Sequence, residues 1–248
     1  MYTSFARVYD TLMDTVDYSA WAQHYRKLME NCRVPAKGRC AECACGTGNL
    51  TLPLRQMGYR MTGVDLSEEM LAAAMEKARA AGMSIPFVRQ DMRALALPHR
   101  ADCVLATCDG VNYLTTPEDA RAFFDAAYAA LKPGGALIFD VSTPEKLSGT
   151  LGNNTLYSDD DAVSYIWRNK WDEKTACVTL NLSLFLRRND GTYDRLEERQ
   201  IQRAHTRREL RAWLARAGFT DISFYGRLRM TPPHKGDDRW HVTAVKPE

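Results

Sequence analysis

The sequence predicts an α/β fold, in which helices cover both faces of a doubly wound, mostly parallel sheet, with an antiparallel β insertion. Between about residues 38 and 143, short apolar segments alternate with amphipathic helical segments, a spacing typical of parallel β-α-β units. The alternation stops at Ser142. From there to His205 apolar residues recur at every second position, which indicates antiparallel strands. A helical pattern returns at Thr206, so the insertion interrupts the α/β unit.

The composition is that of a globular protein. The chain has 248 residues, of which 45% are hydrophobic, and a formal net charge of +2, which does not require a polyanionic partner. No apolar run approaches the ~20 residues that span a bilayer. The N-terminus lacks the basic-then-apolar pattern of a signal peptide. We therefore expect a cytoplasmic protein with no membrane partner and with reduced thiols at its seven cysteines.

The predicted elements follow one another in order. A helical region over residues 4–31 ends before Gly38. Ser67 is a good N-cap for the helix that stops at Gly82, and Pro117 fits the first turn of a further helix. The other elements of the parallel part are strands at about Arg39–Ala44, Arg60–Asp65, Pro86–Gln90, Asp102–Thr107 and Ala136–Val141, and helices at about Asn49–Met57 and Pro117–Leu131.

The insertion and the end of the chain carry their own signals. Apolar residues alternate over 163–171 and 178–186, and Asp190-Gly191 is a hairpin signal, so we expect three or four antiparallel strands. Thr206 caps a helix that Gly218 ends, and two closing strands follow at Thr220–Leu228 and Trp240–Val245. The predicted organisation is an N-terminal helical cap (1–37), a core (38–143 and 206–248) and an antiparallel β insertion (144–205).

The most specific local signal is the segment Glu42-Cys43-Ala44-Cys45-Gly46-Thr47-Gly48, followed one helix later by Gly63-Val64-Asp65. It predicts a buried strand, a glycine turn and a helix N-terminus, then a second strand that ends in an acid. Glycines let a ligand approach the backbone, and an acid in this place can bind both hydroxyls of a ribose. A dinucleotide fingerprint would need a third glycine where this chain has Thr51, so NAD is disfavoured as a ligand.

Three cysteines, Cys40, Cys43 and Cys45, are close enough in sequence to suggest a metal site. Side chains of a strand alternate between its faces, so Cys40 should point opposite to Cys43 and Cys45. No matching Cys or His pair follows downstream. We therefore expect no metal, and small buried thiols in a core strand.

These motifs resemble those of the class I S-adenosylmethionine-dependent methyltransferases. The pattern Glu-x-Ala-x-Gly-x-Gly is similar to the family's first motif, with Ala44 where the family often has glycine, and Asp65 matches its ribose-binding acid. Gln90-Asp91-Met92 resembles the adenine-contacting segment, and Leu131-Lys132-Pro133-Gly134-Gly135 resembles the turn before the fifth strand. The whole chain is similar to a bacterial branch with a β-rich insertion after the fifth strand. The resemblance implies a Rossmann-like seven-stranded sheet, S-adenosyl-L-methionine as cofactor and S-adenosyl-L-homocysteine as product.

The resemblance also implies roles for individual residues. Asp65 would bind the ribose hydroxyls, Asp91 would face the adenine amino group, and Met92 would lie near the ring. Glu42 would order the loop or reach the cofactor's amino group, and Tyr9 resembles a tyrosine that covers the cofactor in related enzymes. The alternatives are a helix cap for Asp65 and core packing for Tyr9. The implied cofactor contacts are Tyr9, Glu42, Ala44, Gly46, Gly48, Asp65, Leu66, Asp91, Met92 and Cys108.

The candidates for contact with the methyl acceptor are Asn112, Tyr113, Trp167 and His205. Transfer of a sulfonium methyl group is an in-line displacement, which needs positioning and desolvation and at most a base such as His205. Asn112 and Tyr113 could equally be turn and packing residues, and a single histidine is more often structural. No catalytic residue is therefore assigned.

Three classes of function remain open. The absence of Asn-Pro-Pro-Tyr and of Pro-Cys argues against the two nucleobase routes that these sequences mark, and favours a small-molecule acceptor. An RNA methyltransferase is the alternative, since residues 187–229 hold eleven Arg against six acidic residues. The acids are interleaved with the arginines, which favours a solvated face, so we expect no nucleic acid partner. A non-enzymatic module that binds the cofactor is the third class. The insertion is expected to shape the acceptor pocket or to form a homodimer interface.

Overall fold

The computed structural model describes residues 6–248, apart from the side chain of Arg7. Within this range the strands are β1 (Arg39–Cys43), β2 (Arg60–Asp65), β3 (Phe87–Arg89), β4 (Ala101–Ala106), β5 (Leu131–Ser142), β6 (Thr155–Ser158), β7 (Val163–Asp172), β8 (Cys177–Arg187), β9 (Tyr193–Arg203), β10 (Thr220–Gly226) and β11 (Arg239–Val245). Seven of them form the main sheet in the order β10-β11-β5-β4-β1-β2-β3, and the other four form a second sheet. The strands from β1 to β5 are parallel, and only β11 pairs antiparallel with its two neighbours. This confirms the predicted fold class.

The helices are α1 (Ala6–Leu12), α2 (Tyr18–Asn31), α3 (Thr51–Gln56), α4 (Glu68–Ala80), α5 (Pro117–Ala130) and α6 (Arg207–Ala217). The predicted helical region over 4–31 is divided in two, because Asp17 caps α2 and accepts a hydrogen bond from the amide of Ala20 at 2.9 Å. Its predicted start at residue 4 lies outside the described residues. Within residues 6–248 no helix is long and apolar enough to cross a bilayer.

Strand β5 is longer than its sequence predicts. The glycine turn before it takes part in the sheet: the amide of Gly134, at φ +73°, donates to Lys246 O at 2.9 Å, and Lys246 N donates back to Gly135 O at 2.8 Å. Leu131 is also in register with Ala101 of β4. The end of the chain therefore extends the ladder through residues that local signals assign to a turn.

Apolar layers cover both faces of the main sheet. One layer lies under α5 and α6 and includes Phe123, Phe124 and Cys43, and the other lies under α2 and α3 and includes Tyr25 and Cys40. The opposite directions of Cys40 and Cys43 follow from strand alternation, as expected. The same packing leaves the ends of the strands as the places where a ligand can meet the sheet.

The insertion is an antiparallel sheet in the order β6-β7-β8-β9. Trp167 is in register with Leu182, so the aromatic residues of β7 and the apolar stripe of β8 lie on the same face. One end of that face packs on α1, and the other end packs on a π-helical segment, Lys146–Leu151, which was not predicted. The packed face of the insertion is therefore its inner one.

Candidate functional site

A cavity of about 390 Å³ opens at the carboxyl ends of β1, β2 and β4. Strand β1 is flanked by β2 on one side and β4 on the other, so the order of the parallel strands reverses here. Ligands bind open α/β sheets at this topological position, and the volume lies in the usual range for small-molecule sites. The walls come from the segments after these strands, from the N-terminal helices and from the insertion.

The glycine turn after β1 forms the floor of the cavity. Ala44 and Gly46 both have left-handed backbone angles, φ +51° and +53°, and a Cβ atom at Gly46 would meet no atom within 4 Å. The amide of Gly46 donates to Asp65 Oδ2 at 2.8 Å, and the amide of Ser67 donates to Asp65 Oδ1 at 2.9 Å. Burial raises the pKa of Asp65 in spite of these donors. Asp65 thus lines the cavity and ties the turn to the end of β2.

Gly48 does not line the cavity, although its sequence position suggested close approach of a ligand. Its φ is +76°, and a Cβ atom there would lie 3.0 Å from Leu52 and 3.3 Å from Ala74. The absence of a side chain at Gly48 lets α3 and α4 pack together. The structure thus gives Gly48 a packing role, and its contact with the cofactor stays a prediction.

Glu42 is buried within β1, and its carboxylate faces the cavity. The Thr107 hydroxyl donates to Glu42 Oε1 at 2.6 Å, and the Thr51 hydroxyl donates to Oε2. Burial raises the pKa of Glu42 to about 7, against the lowering effect of the two hydroxyls, and the nearby acids Asp65 and Asp140 raise it further. No cation is paired with this carboxylate among the described residues. The floor of the cavity can therefore balance one positive charge on a ligand.

The segment after β3 forms one end of the cavity. Met92 is buried and Leu66 is 58% exposed, and both line this end. Asp91 lines it as well, but its carboxylate accepts the Arg93 guanidinium at 2.6 to 3.0 Å, and Arg93 also reaches Asp119 at 2.5 Å. The hydrogen bonds from Arg93 lower the pKa of Asp91. Asp91 therefore lines the cavity as part of an ion pair, and its contact with adenine stays a prediction.

The other end of the cavity is lined by three tyrosines. Tyr9 comes from α1, Tyr18 from α2 and Tyr113 from the turn after β4. Burial raises the pKa of Tyr9 well above its ordinary value and raises that of Tyr18 to about 12, so both phenols are protonated at neutral pH. The Tyr113 hydroxyl donates to Gln200 Oε1 at 2.7 Å, which brings β9 of the insertion to the same wall.

Cys108 lines this end through an unusual turn. Cys108 and the next residue, Asp109, both have left-handed backbone angles, φ +52° and +67°, which cost residues other than glycine roughly 1–2 kcal/mol each. Their amides donate to the Asp140 carboxylate at 2.7 and 3.0 Å. Asp140 is fully buried and also accepts the Tyr25 hydroxyl at 2.6 Å and the Arg239 guanidinium. This buried network holds the strained turn at the cavity.

His205 does not reach the cavity, contrary to the expectation that it is a base for the acceptor. It is fully buried, its Nδ1 lies 2.8 Å from the Arg203 guanidinium, and its Nε2 lies 3.1 Å from Val111 O. A neutral imidazole fits both partners, because Nε2–H donates to the carbonyl and Nδ1 accepts from the arginine. Burial lowers its pKa to about 4, with help from the Arg203 charge. His205 is a core residue.

Asn112 and Trp167 are also outside the cavity. Asn112 is fully buried, donates to Arg203 O at 2.9 Å and accepts the amide of Ser142 at 2.9 Å, so it joins the turn after β4 to β5 and β9. Trp167 packs on the inner face of the insertion with the π-helical segment. Of the four candidates for acceptor contact, the structure brings only Tyr113 to the cavity.

Several lining residues were missed by sequence reasoning, among them Tyr18, Thr107, Asn49 and Gln200. Thr107 could have been found, because it directly follows a predicted strand at the binding edge. Tyr18 and Gln200 give no local signal, since each reaches the cavity from an element distant in sequence. In residues 6–248 no three His, Cys, Asp or Glu side chains are placed to hold a metal ion.

Comparison with known proteins agrees with this geometry. A sequence model described as "Methyltransferase domain" matches residues 41–135. The chain is 34% identical over 245 residues to a protein of Geobacillus sp. (strain WCH70), covering 99% of both, and 36% identical over 247 residues to YqeM of Bacillus subtilis (strain 168), covering 99% of this chain and 97% of that one. Both relatives are named as candidate methyltransferases. The crystal structure of an S-adenosylmethionine-dependent methyltransferase from Clostridium acetobutylicum ATCC 824 superposes with a TM-score of 0.90 at 29% identity, over 100% of this chain and 99% of that one.

The doubly wound sheet, its glycine turn and the acid after β2 define a Rossmann-like protein with a cavity at the switch point, where ligands bind in such folds. The two bacterial relatives match this chain over nearly their whole length, and this narrows the class from Rossmann-like proteins in general to one family. The chain belongs to the class I S-adenosylmethionine-dependent methyltransferases, enzymes whose methyl donor is S-adenosyl-L-methionine.

Proposed function

We propose that this enzyme transfers the methyl group of S-adenosylmethionine to a small-molecule acceptor inside the cavity. The observation that carries the proposal is the wall formed by Tyr9, Tyr18, Tyr113 and Gln200, which come from two N-terminal helices, a turn of the core and the insertion. Such a wall encloses a compact acceptor, whereas a long polymer needs an open groove. The cap (1–37) and the insertion (144–205) would thus each contribute to the acceptor side.

The cofactor fits the charges and shape of the cavity. Glu42 offers a buried carboxylate without a paired cation among the described residues, and Asp65 offers a second carboxylate beside the turn. Gly46 leaves room over its backbone. When bound, the cofactor supplies a methyl group activated by a sulfonium. In our proposal Glu42 balances its positive charge, Asp65 accepts the ribose hydroxyls, and Met92 and Leu66 contact the adenine.

The residues at the acceptor end would position the acceptor and exclude water. Protonated Tyr9 and Tyr18 cannot take a proton at neutral pH, so their contribution is shape and hydrogen-bond donation. The pair of Tyr113 and Gln200 presents a donor and an acceptor to the incoming molecule. In-line displacement of a sulfonium needs alignment and desolvation above all, which this wall can supply.

The arginine-rich segment 187–229 favours the small-molecule proposal over an RNA acceptor. Six of its arginines form ion pairs with acidic side chains, and the pairs are Arg188–Asp194, Arg195–Glu197, Arg203–Glu209, Arg216–Asp125, Arg227–Asp238 and Arg229–Asp237. Paired guanidinium groups are poor phosphate ligands, because binding would first break the existing pair. The segment therefore resembles an alternating-charge surface.

We also propose that two copies of the chain form a homodimer through the insertion. The outer face of the four-stranded sheet carries Tyr157, Tyr193 and Ile201, which are 77%, 53% and 36% exposed. Light scattering on the intact chain measures the mass, and a monomeric mass over the working concentration range contradicts the dimer.

The acceptor class is tested with methyl-labelled cofactor. The enzyme is incubated separately with a metabolite extract below about 1 kDa and with bulk RNA, and the label is followed by mass spectrometry. We expect labelled small molecules, with transfer reduced in Tyr113→Phe and Gln200→Ala while calorimetry gives unchanged cofactor affinity. Arg208→Gln, an exposed change on α6, is the matched control. Label in RNA alone would contradict the proposal.

A further inference from the structure

Three arginines line a groove at the amino-terminal edge of the main sheet, the edge opposite the cofactor cavity. The groove has a volume of about 300 Å³. Arg39 is the first residue of β1, Arg60 is the first residue of β2, and Arg55 comes from α3. His99 lies on the same wall, and none of the lining residues is acidic.

The register of the sheet places two of these arginines side by side. Arg39 is directly paired with Arg60 across the parallel strands β1 and β2, so their side chains leave the same face. Like charges directly opposite each other on neighbouring strands are destabilising. A sheet edge normally avoids this arrangement or neutralises it with a carboxylate, and an anion from solution can do the same.

No carboxylate forms an ion pair with the three guanidinium groups within the described part of the chain, although the charge of Arg39 acts on Asp102. The Asp102 carboxylate accepts Lys132 Nζ at 2.6 Å and the backbone amide of Arg39 at 2.7 Å. Against the effect of burial, these hydrogen bonds and the charges of Lys132 and Arg39 lower the pKa of Asp102, so this acid offsets part of the Arg39 charge and leaves Arg55 and Arg60 without an acidic partner. Arg55 reaches only the carbonyl of Tyr59, at 3.5 Å. Six of the eleven arginines of segment 187–229 form ion pairs with acidic side chains, whereas none of the three groove arginines does so among the described residues.

Arginine forks are suited to phosphoryl oxygens, because each guanidinium offers parallel N–H donors in a plane. Forks carried by two neighbouring strand ends and by a helix that line one groove can bind a tetrahedral anion together. The groove is separated from the glycine turn by the five residues of β1, roughly 16 Å of extended chain. A ligand here would therefore leave the cofactor cavity untouched.

We propose that this groove is a second binding site, which takes the phosphoryl group of a small molecule through Arg39, Arg55 and Arg60. The site does not depend on the proposed acceptor class. Inorganic phosphate, pyrophosphate and glycerol 3-phosphate serve as probes, each against sodium chloride at the same ionic strength. Calorimetry and thermal unfolding measure binding to the full chain.

We expect saturable binding of pyrophosphate, with a loss of about tenfold in affinity for Arg39→Gln and for Arg60→Gln, the scale of one charged hydrogen bond. Arg208→Gln should bind as the parent does, and every variant should keep its affinity for S-adenosylmethionine within about twofold. Without a probe, Arg60→Gln should unfold at or above the parent temperature, because the like-charge pair is removed. A clear decrease in the unfolding temperature of Arg60→Gln would contradict the claim that Arg39 and Arg60 repel each other without a neutralising partner.

The probes also separate the sources of the phosphoryl group. Binding of glycerol 3-phosphate assigns the groove to a phosphorylated metabolite, and binding of the inorganic anions alone assigns it to free phosphate or pyrophosphate. No binding beyond the chloride control, or binding that Arg39→Gln with Arg60→Gln leaves unchanged, overturns the proposal. Binding of a 20-nucleotide RNA more than a hundredfold tighter than pyrophosphate, weakened by the same changes, would assign the groove to RNA instead.

Discussion

Binding of S-adenosylmethionine should depend on pH through Glu42. In the free protein burial holds the pKa of this carboxyl at about 7, so a large fraction of Glu42 is protonated near neutral pH. A cofactor with a net positive charge binds the ionised form better. Binding should therefore release a proton from Glu42, and affinity should fall as the pH falls below about 7.

The size of the effect follows from the population of ionised Glu42. If only this form binds tightly, the apparent dissociation constant rises by a factor of one plus the ratio of protonated to ionised carboxyl, about 1.1 at pH 8, 2 at pH 7 and 11 at pH 6. Between pH 8 and pH 6 the loss is about tenfold, or about 1.4 kcal/mol. The groups that face Glu42 are Thr51, Thr107, Asp65 and Asp140. The charges of the two acids raise the pKa of Glu42 and are already contained in the value of about 7.

Calorimetry at pH 6, 7 and 8, in buffers of different ionisation enthalpy, measures both the affinity and the protons released. Glu42→Gln keeps the shape of the side chain but cannot ionise, so its affinity should be weak and nearly independent of pH. Glu173→Gln, an exposed change in the insertion, is the control. A comparison with S-adenosylhomocysteine shows which positive group of the cofactor Glu42 contacts. This ligand lacks the sulfonium but keeps the ammonium, so if its affinity depends on pH as strongly as that of S-adenosylmethionine, Glu42 interacts with the ammonium. Equal affinity at pH 6 and 8, or a slope that persists in Glu42→Gln, would refute the reasoning.

Three further outcomes are expected. Asp65→Ala should weaken S-adenosylmethionine binding by about 1–3 kcal/mol in calorimetry, the scale of lost charged hydrogen bonds, and an unchanged affinity would remove Asp65 from the site. His24 and His205 are buried, and burial lowers the pKa of each imidazole to about 4 in the folded protein, against an ordinary value of 6.5. As the pH falls below 6.5, these histidines therefore bind protons in the unfolded chain before they do so in the folded one. Stability that is present above pH 6.5 should thus be lost between pH 6.5 and 4, and the loss at pH 5 should be about 2 kcal/mol for each imidazole. Urea unfolding at several pH values measures it, and His205→Asn should lose less stability over the same range. Trp167→Ala should cost about 2–3 kcal/mol of stability, less than a fully buried tryptophan, because Trp167 is partly buried on the inner face of the insertion. Cofactor affinity and the mass in light scattering should stay unchanged, and a lower mass would mean that Trp167 lies at an interface.

Most of the fold could be predicted because its signals are local. The bounds of β2, the capping of α4 by Ser67 and the alternation in β7 and β8 depend on residues a few positions apart. The same holds for the floor of the cavity, since the carboxyl ends of parallel strands meet at one edge of a sheet and bring Gly46 and Asp65 together.

The wall of the cavity that contains Tyr113 and Gln200 could not be predicted, because it depends on contacts between distant segments. Gln200 meets Tyr113 across 87 positions, and nothing local distinguishes Gln200 from other polar residues of β9. The side chains of Asn112 and His205 are of types that often act in catalysis, but both point into the core, where each forms a hydrogen bond to the backbone of another segment.

The sequence by itself determined the class of protein and the glycine turn and acid that form the floor of the cavity, because periodicity and turn chemistry act over a few residues. The tertiary structure alone decided which side chains from distant segments line the cavity, and it alone paired Arg39 with Arg60. Strand register and the docking of the insertion set those neighbours, and both are fixed by packing over the whole chain rather than by any short segment.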